Sequence, residues 1–297
     1  FHSGLLSDLT EERKMNMKVA YTTWTWQLEE YTTRTPYCKE HFEEAARSIK
    51  YLGYDYIENF NFIVPWYQDD PQELKDMLDK YDLQLVNLYH TYYYDGTQET
   101  LEKWLDLGER TCKLLKYCGA KYINLQGNIW QDEPFIRPDN PELIDAYIDA
   151  FEKMGRIARF YGIQACMHPH GGTAMFSESQ IDYFIEHCDM TLVHLTLDTA
   201  HTMLAGMDPC KAIDKYAKYI DYIHLKDLDP QEDNWTRNPM QRFCAPGQGM
   251  IDFRNVIRTL KKNSYDGVVC VECDYPRICS YESAQTARNY LRAIVGI

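Results

Sequence analysis

The chain has 297 residues, 45% of them hydrophobic and 26% charged, the proportions of a soluble globular protein rather than a disordered one. Its 31 basic and 45 acidic residues give a formal charge of −14, which argues against a broad face for nucleic acid or an anionic membrane. No apolar run reaches the ~18 residues of a membrane span, and ten cysteines without a zinc-finger rhythm fit free thiols in a reducing cytoplasm.

Residues 1–17 lack the apolar core of a signal peptide and read as a leader or appended stretch, with Met15 or Met17 as a natural start. From residue 18 to residue 297, short apolar, β-branched or aromatic runs alternate with amphipathic stretches. The first strand is KVAYTTW (18–24), followed by a helix over 38–52. Next come YDYIE (54–58) with 71–81, LQLVNLYH (83–90) with 98–118, and AKYINLQ (120–126) with 141–161. The second half continues with GIQACMH (162–168) and 177–188, LVHLTLD (192–198) and 209–217, YIDYIHLK (219–226) and 252–263, and GVVCVE (267–272) and 281–295. Local signals support the helices. Asn140–Pro141 and Asp208–Pro209 read as a cap followed by proline at the first helical position, and Ser177 with Gln180 fits a capping box. Glycines at 53, 119 and 162 suit left-handed helix ends.

Eight strand–helix units in one chain predict an α/β fold, a (β/α)8 TIM barrel forming one domain over 18–297. An open doubly wound sheet would need a glycine-rich phosphate turn after the first strand, and TTWTWQ there has no glycine. Cys270 and Cys273 are spaced CxxC, but three residues apart on a strand they point to opposite faces, against a metal clip.

A barrel of this kind gathers its chemistry at the C-terminal strand ends and the loops after them. Those ends carry Glu58–Asn59, His90, Gln126, His168 with His170, Asp198 with His201, His224 with Lys226 and Asp227, and Glu272 followed by Asp274. Random placement would scatter such groups along the strands. Taken singly, each has a structural reading. A histidine at a strand end is often only hydrogen-bonded, Glu272 could pair with a lysine, and Asp198 could cap the turn after it. Their joint placement invites one divalent ion held by His168, Asp198, His224 and Glu272, the first strong ligands at the ends of strands five to eight. Imidazole and carboxylate without thiolate suit Mn, Co, Zn or Fe.

The segments CMHPHGGT (166–173), LTLDTAHTMLAGMDP (195–209), YIHLKDLD (222–229), APGQGMIDF (245–253) and VVCVECDYP (268–276) resemble the sugar isomerase/epimerase-like barrels related to xylose isomerase, and within them inosose dehydratase and its relatives. Ala200 stands where that pattern usually has glycine. The resemblance implies the same four metal ligands, substrate contact by His201, and substrate-facing positions for His170 and Lys226. It implies a carbonyl substrate whose neighbouring proton is removed to give an enediolate. Reprotonation would then isomerise or epimerise a sugar or keto-polyol, and loss of a β-hydroxyl would dehydrate an inosose. In many epimerases of the superfamily, strands five and eight each present a glutamate to one face of the substrate. His168 in place of the first leaves a one-sided proton chemistry, which suits a dehydratase or lyase. The expectation is an isomerase or epimerase, with an inosose dehydratase-type lyase as the alternative and a non-catalytic sugar-binding barrel as the reading from another class. An abasic-site endonuclease shares the fold, but the acidic surface opposes it.

Glu272 is the first candidate base, with His170, Lys226 and Glu58 as further catalytic candidates. His90, Gln126, Trp24 and Asp227 join His201 as substrate contacts. Trp24, Trp26, Tyr89, Tyr92 and Trp130 offer aromatic faces for sugar C–H surfaces, and the long 229–249 loop suits a lid whose Arg237 or Arg242 could grip an anionic group. A small sugar or cyclic polyol is the expected partner, with no nucleic acid and no membrane, and a homo-oligomer is compatible with the barrel class.

Overall fold

The computed structural model describes residues 17–27, 37–91, 94–127, 141–230 and 239–297. Residues 1–16 of the expected leader, the Asn140 cap, Tyr92, Trp130 and Arg237 lie outside those residues. Strands β1 (Lys18–Thr22), β2 (Tyr56–Phe60), β3 (Gln84–His90), β4 (Tyr122–Leu125), β5 (Gln164–Met167), β6 (Val193–Asp198) and β7 (Ile220–Leu225) alternate with helices. The outer helices are α1 (Lys39–Tyr51), α2 (Pro71–Lys80), α3 (Gln98–Cys118), α4 (Pro141–Tyr161) and α5 (Glu178–His187). After β6 come a short α6 (Thr199–Leu204) and then α7 (Pro209–Tyr216). A small antiparallel ribbon, β8 (Asp227–Leu228) with β9 (Phe243–Cys244), precedes α8 (Phe253–Lys262), β10 (Val268–Val271) and α9 (Ser280–Tyr290).

The eight long strands are parallel and close in the order β1, β10, β7, β6, β5, β4, β3, β2. This is the expected barrel. The Ser177–Gln180 capping box is present, Asp208 accepts from the Lys211 amide above Pro209, and Gly119 ends α3 with φ +74°. One change shifts the chemistry: β2 starts two residues later than expected and runs on to Phe60, so Glu58 lies inside the strand instead of at its end. Among the described residues no helix is long and apolar enough to cross a membrane.

The strand period of two sorts the side chains. Outward residues such as Ile57, Leu88, Ile123, Leu197, Ile223 and Val269 join the helices' apolar faces in the main core. Helix α8 shows how that layer is made: Phe253, Val256, Ile257 and Leu260 fall on one face and are all buried, each worth about 1.5–3 kcal/mol of transfer free energy. Inward residues fill the barrel in layers. Ala20, Val86, Cys166, Tyr222, Val268 and Cys270 form an apolar plug at its lower end, with Tyr56 and Tyr122 against it. Above the plug the inward residues turn polar, as Glu58, Asn87, Asn124, Thr196 and His224, all fully buried. The same parity separates the CxxC pair: Cys270 lies in the plug, while the Cys273 thiol meets Ser283 of α9 at 3.7 Å.

Candidate metal centre and substrate pocket

Strand pairing lines up the upper layer. Asp198 of β6 sits opposite His224 of β7, and His224 sits opposite Cys270 of β10. Glu272, two residues beyond Cys270, therefore comes level with Lys226, two beyond His224. His168 follows β5 directly and donates its amide to Leu125 O at 2.9 Å.

Three of the four predicted ligands, His168, Asp198 and His224, bring donor atoms within 4.8 Å of one another, and Glu272 adjoins His224. Asp198 Oδ2 lies 3.9 Å from His168 Nε2 and 3.9 Å from His224 Nδ1, and His224 Nδ1 lies 2.9 Å from Glu272 Oε2. Bonds of about 2.0–2.2 Å to one ion need donor atoms within about 4.4 Å of each other, and these three separations each meet that limit. Among the described residues, both ring nitrogens of His168 and Asp198 Oδ2 have no hydrogen-bond partner although they are buried. Such orphaned atoms are costly unless something binds them. The other oxygen of Asp198 is committed: Oδ1 accepts from the amides of Ala200 and His201 at 2.8 Å each and caps α6. The capping role and the ligand role thus fall on different atoms of one side chain. The donor set fits a divalent cation.

Charge is concentrated around the same point. Lys226 is 1% exposed, and its ammonium lies 3.1 Å from Glu272, 3.1 Å from Asp274 and 3.6 Å from Asp198. It also rests on the Phe243 ring at 4.7 Å. Burial works against ionised Glu272, but Lys226 and His224 hold its carboxyl well below the usual range. Burial pushes Asp274 up to about 7, with Lys226 pulling the other way and Glu272 adding to the rise. Burial alone would lower His224, yet Glu58 and Glu272 raise it to about 10. Burial keeps His168, His170 and His201 neutral, with His170 lowered to about 3.

A cavity of about 200 Å³ opens beside this cluster. One wall is polar, formed by Gln126, His168, His170, Glu272 and Asp274. The other is apolar, formed by Trp24, Phe60, Phe62, Tyr89, Met240 and Tyr275. The apolar wall is a continuous aromatic surface, with Trp24 4.7 Å and Tyr89 4.9 Å from Phe60, ring centre to ring centre. Wider grooves of about 360 and 500 Å³ are lined by lower-end residues such as Lys18, Tyr56, Lys121 and Gln164. They hold no comparable gathering of buried ionisable groups among the described residues.

Hydrogen bonds assign two tautomers. His170 Nδ1 lies 2.7 Å from the Gly171 carbonyl, which can only accept, so Nδ1 carries the proton and Nε2 keeps a lone pair. His201 Nδ1 accepts the Gly171 amide at 3.1 Å, so its proton is on Nε2.

Of the predicted substrate contacts, Gln126 and Trp24 line the cavity, as does the catalytic candidate His170. His201 packs against His170, with ring centres 3.8 Å apart and the rings tilted by 42°. Several expectations need correction. His90 points away from the barrel: its ring lies between Asn61 Nδ2 at 3.0 Å and the Trp104 carbonyl at 3.1 Å, under α3. The cause is parity, since Tyr89 takes the inward place. Asp227 also faces outward, where its carboxylate accepts from the amides of Leu228, Gly247, Gly249 and Ile251 at 2.9–3.0 Å and shapes the 245–251 turn. A Cβ on Gly249 would fall 2.4 Å from the Asp227 carboxylate, so only glycine fits there. Glu58 sits below His224 rather than beside substrate, 3.1 Å from its Nε2. Lys226 lies behind Glu272 and Asp274 and not on the cavity wall. Trp26 packs into the core against Tyr21, with ring centres 5.7 Å apart, and Arg242 donates to the Asp229 carbonyl. Residues without an expected role also reach the cavity: Asp274, Phe60, Phe62 and Tyr275. Asp274 was legible in principle, because two residues after Glu272 the strand parity points inward again.

Comparison with known proteins agrees with the fold. A family model described as a xylose isomerase-like TIM barrel matches residues 46–294. An inosose dehydratase of Klebsiella pneumoniae subsp. pneumoniae is 32% identical over 253 residues, covering 78% of this chain and 84% of that protein. An inosose dehydratase of Lacticaseibacillus casei is 29% identical over 283 residues, covering 86% and 90%. The crystal structure of IOLI protein with a binding zinc atom superposes with a TM-score of 0.72 at 20% identity, covering 94% of this chain and 98% of that one.

Proposed function

The chain belongs to the xylose isomerase-like TIM barrel family, and on that premise we propose that it is a divalent-metal-dependent dehydratase that removes water from a keto-cyclitol of the inosose class. The observation that carries this reading is the asymmetry of the cavity's acidic groups: the lining carboxylates Glu272 and Asp274 both follow β10, while strand five offers the neutral His168. Relatives named inosose dehydratase, matching most of the chain, support the same chemistry. His168, Asp198, His224 and Glu272 would hold the ion, which when bound polarises a carbonyl and acidifies the neighbouring C–H.

The chain's own groups do the rest. The Trp24–Phe60–Tyr89 wall takes the C–H face of the ring and excludes water. Gln126 and the bare Nε2 of His170 meet ring hydroxyls. The Glu272 carboxylate, kept ionised by Lys226, takes the proton α to the carbonyl. Asp274, propped by Lys226 and raised toward neutrality, gives a proton to the departing β-hydroxyl. The C–O bond breaks, the electron pair of the lost C–H becomes the new double bond, and water leaves.

The test is to incubate the metal-loaded chain with inosose in deuterated solvent. Growth of enone ultraviolet absorbance with loss of one water is expected. Deuterium in an isomer of unchanged formula would replace this reading with epimerisation, and stoichiometric sugar binding without turnover would leave a binding barrel.

A further inference from the structure

Under the metal centre lies a carboxylate with no contact to the cavity. Glu58 is fully buried, and its Oε2 lies 3.1 Å from His224 Nε2. Oε2 also accepts from Asn87 Nδ2 at 2.7 Å. The Asn87 amide cannot be turned over, because its Oδ1 is claimed by the Asn124 backbone N–H at 3.0 Å. Asn124 Oδ1 in turn accepts from Thr196 Oγ1 at 2.7 Å. These side chains come from β2, β3, β4 and β6, all are fully buried, and they form a hydrogen-bonded belt across the barrel, ending at His224 of β7. A carboxylate oxygen accepts from a ring N–H, so the Glu58 contact calls for the proton on Nε2. An ion bound at Nδ1, the atom beside Asp198 and Glu272, would take the place of the proton that Glu272 Oε2 otherwise meets there.

We propose that Glu58 is a positioning residue which fixes His224 with its proton on Nε2 and its Nδ1 lone pair toward the ion, while Asn87, Asn124 and Thr196 hold Glu58 in place. This rests on reading the site above as a divalent metal centre. It reassigns a residue whose strand-end position suggested proton transfer with substrate. A different use of the same atoms is a second, deeper ion, since donor atoms of Glu58, His224 and Cys270 lie within 4.8 Å of one another. The belt speaks against it: His224 Nε2 would have to give up the proton that Glu58 accepts.

The experiment titrates Zn2+ alone into the metal-free full chain, in competition with a chromophoric chelator. Glu58→Gln should bind Zn2+ about 10–100-fold more weakly than the unaltered chain, because its amide can donate to a bare Nε2 and so accept the wrong tautomer. Glu58→Asp should recover part of the loss. With Zn2+ saturating, turnover of Glu58→Gln should return to within several-fold, whereas removal of a proton-transferring group costs about 10²–10⁴ at any metal concentration. Nitrogen-15 NMR of histidine-labelled, Zn2+-loaded unaltered chain needs no variant, and should show the His224 proton on Nε2. A proton on Nδ1, Zn2+ affinity unchanged in Glu58→Gln, or a turnover loss that excess Zn2+ does not repair would each overturn the assignment while leaving the upper centre standing. Two Zn2+ per chain, with a thiolate charge-transfer band when Co2+ replaces it, would overturn it in favour of the deeper ion. If the unaltered chain binds no Zn2+, the metal reading itself fails.

Discussion

On the proposed reading Asp198 divides its two oxygens between folding and chemistry, and that division can be separated by substitution. Asparagine retains a side-chain oxygen to cap α6, and Asn and Asp are near equals at that position. Asp198→Asn should therefore melt within a few degrees of the unaltered chain while turnover falls about a hundredfold or more, as expected when an ion worth several kcal/mol to the transition state is lost. Equal activity, measured with added metal and in its absence, would remove Asp198 from the site. The four proposed ligands stand out at this scale because each is the first strongly coordinating group at its strand end. Two of the corrections, His90 and Asp227, share one cause. Whether a strand-end residue faces the barrel or the helices depends on parity, and parity was misjudged wherever the strand's frame was unclear. The β2–β3 register skips a residue after Ile57, which puts Asn87 and Tyr89 inside and His90 outside. Nothing in LVNLYH announces that skip. Asp227 is the other case: it directly follows inward Lys226, so it must face out.

At the scale of elements, eight strands and eight outer helices were legible within a few residues, because long periodic segments with caps leave strong signals. Helix α6 and the β8–β9 ribbon were not, since a handful of residues is too short to show a period. The lower rim carries a further device that joins two neighbouring strands. His194, near the start of β6, places Nδ1 2.6 Å from Asp221 Oδ2, near the start of β7. The hydrogen bond to Asp221 raises the His194 pKa, with burial opposing. A folded-state pKa above the unfolded value of about 6.5 means that the pair's stabilisation is complete below that pH. It is lost as pH climbs through the raised folded-state value. The melting-temperature gap between the unaltered chain and His194→Gln should thus be wide near about pH 5.5 and narrow toward about pH 9. A gap that stays constant across that range would show that the imidazole's charge does not contribute.

For the whole molecule, the closed sheet sets one polar end over an apolar plug, and all the buried ionisable groups discussed for catalysis lie at that end. An ion that binds only the folded state should raise stability by mass action, about 2.7 kcal/mol at a hundredfold excess over its Kd. For a barrel of this size that is a rise of several degrees in melting temperature. Calorimetry of metal-stripped chain with increasing Zn2+ should show that rise, and its absence would count against a native centre. The metal-stripped chain should still fold, and Lys226 is the reason. Three carboxylates from β6 and the end of β10 could not be buried side by side without a cation, and the lysine supplies one from within the polypeptide. Assembly can therefore proceed in two stages, first the barrel and then its loading. When the metal is scarce, a cell making this chain would accumulate idle copies rather than collapsed ones, a stock that the next supply of ions could recruit without new synthesis.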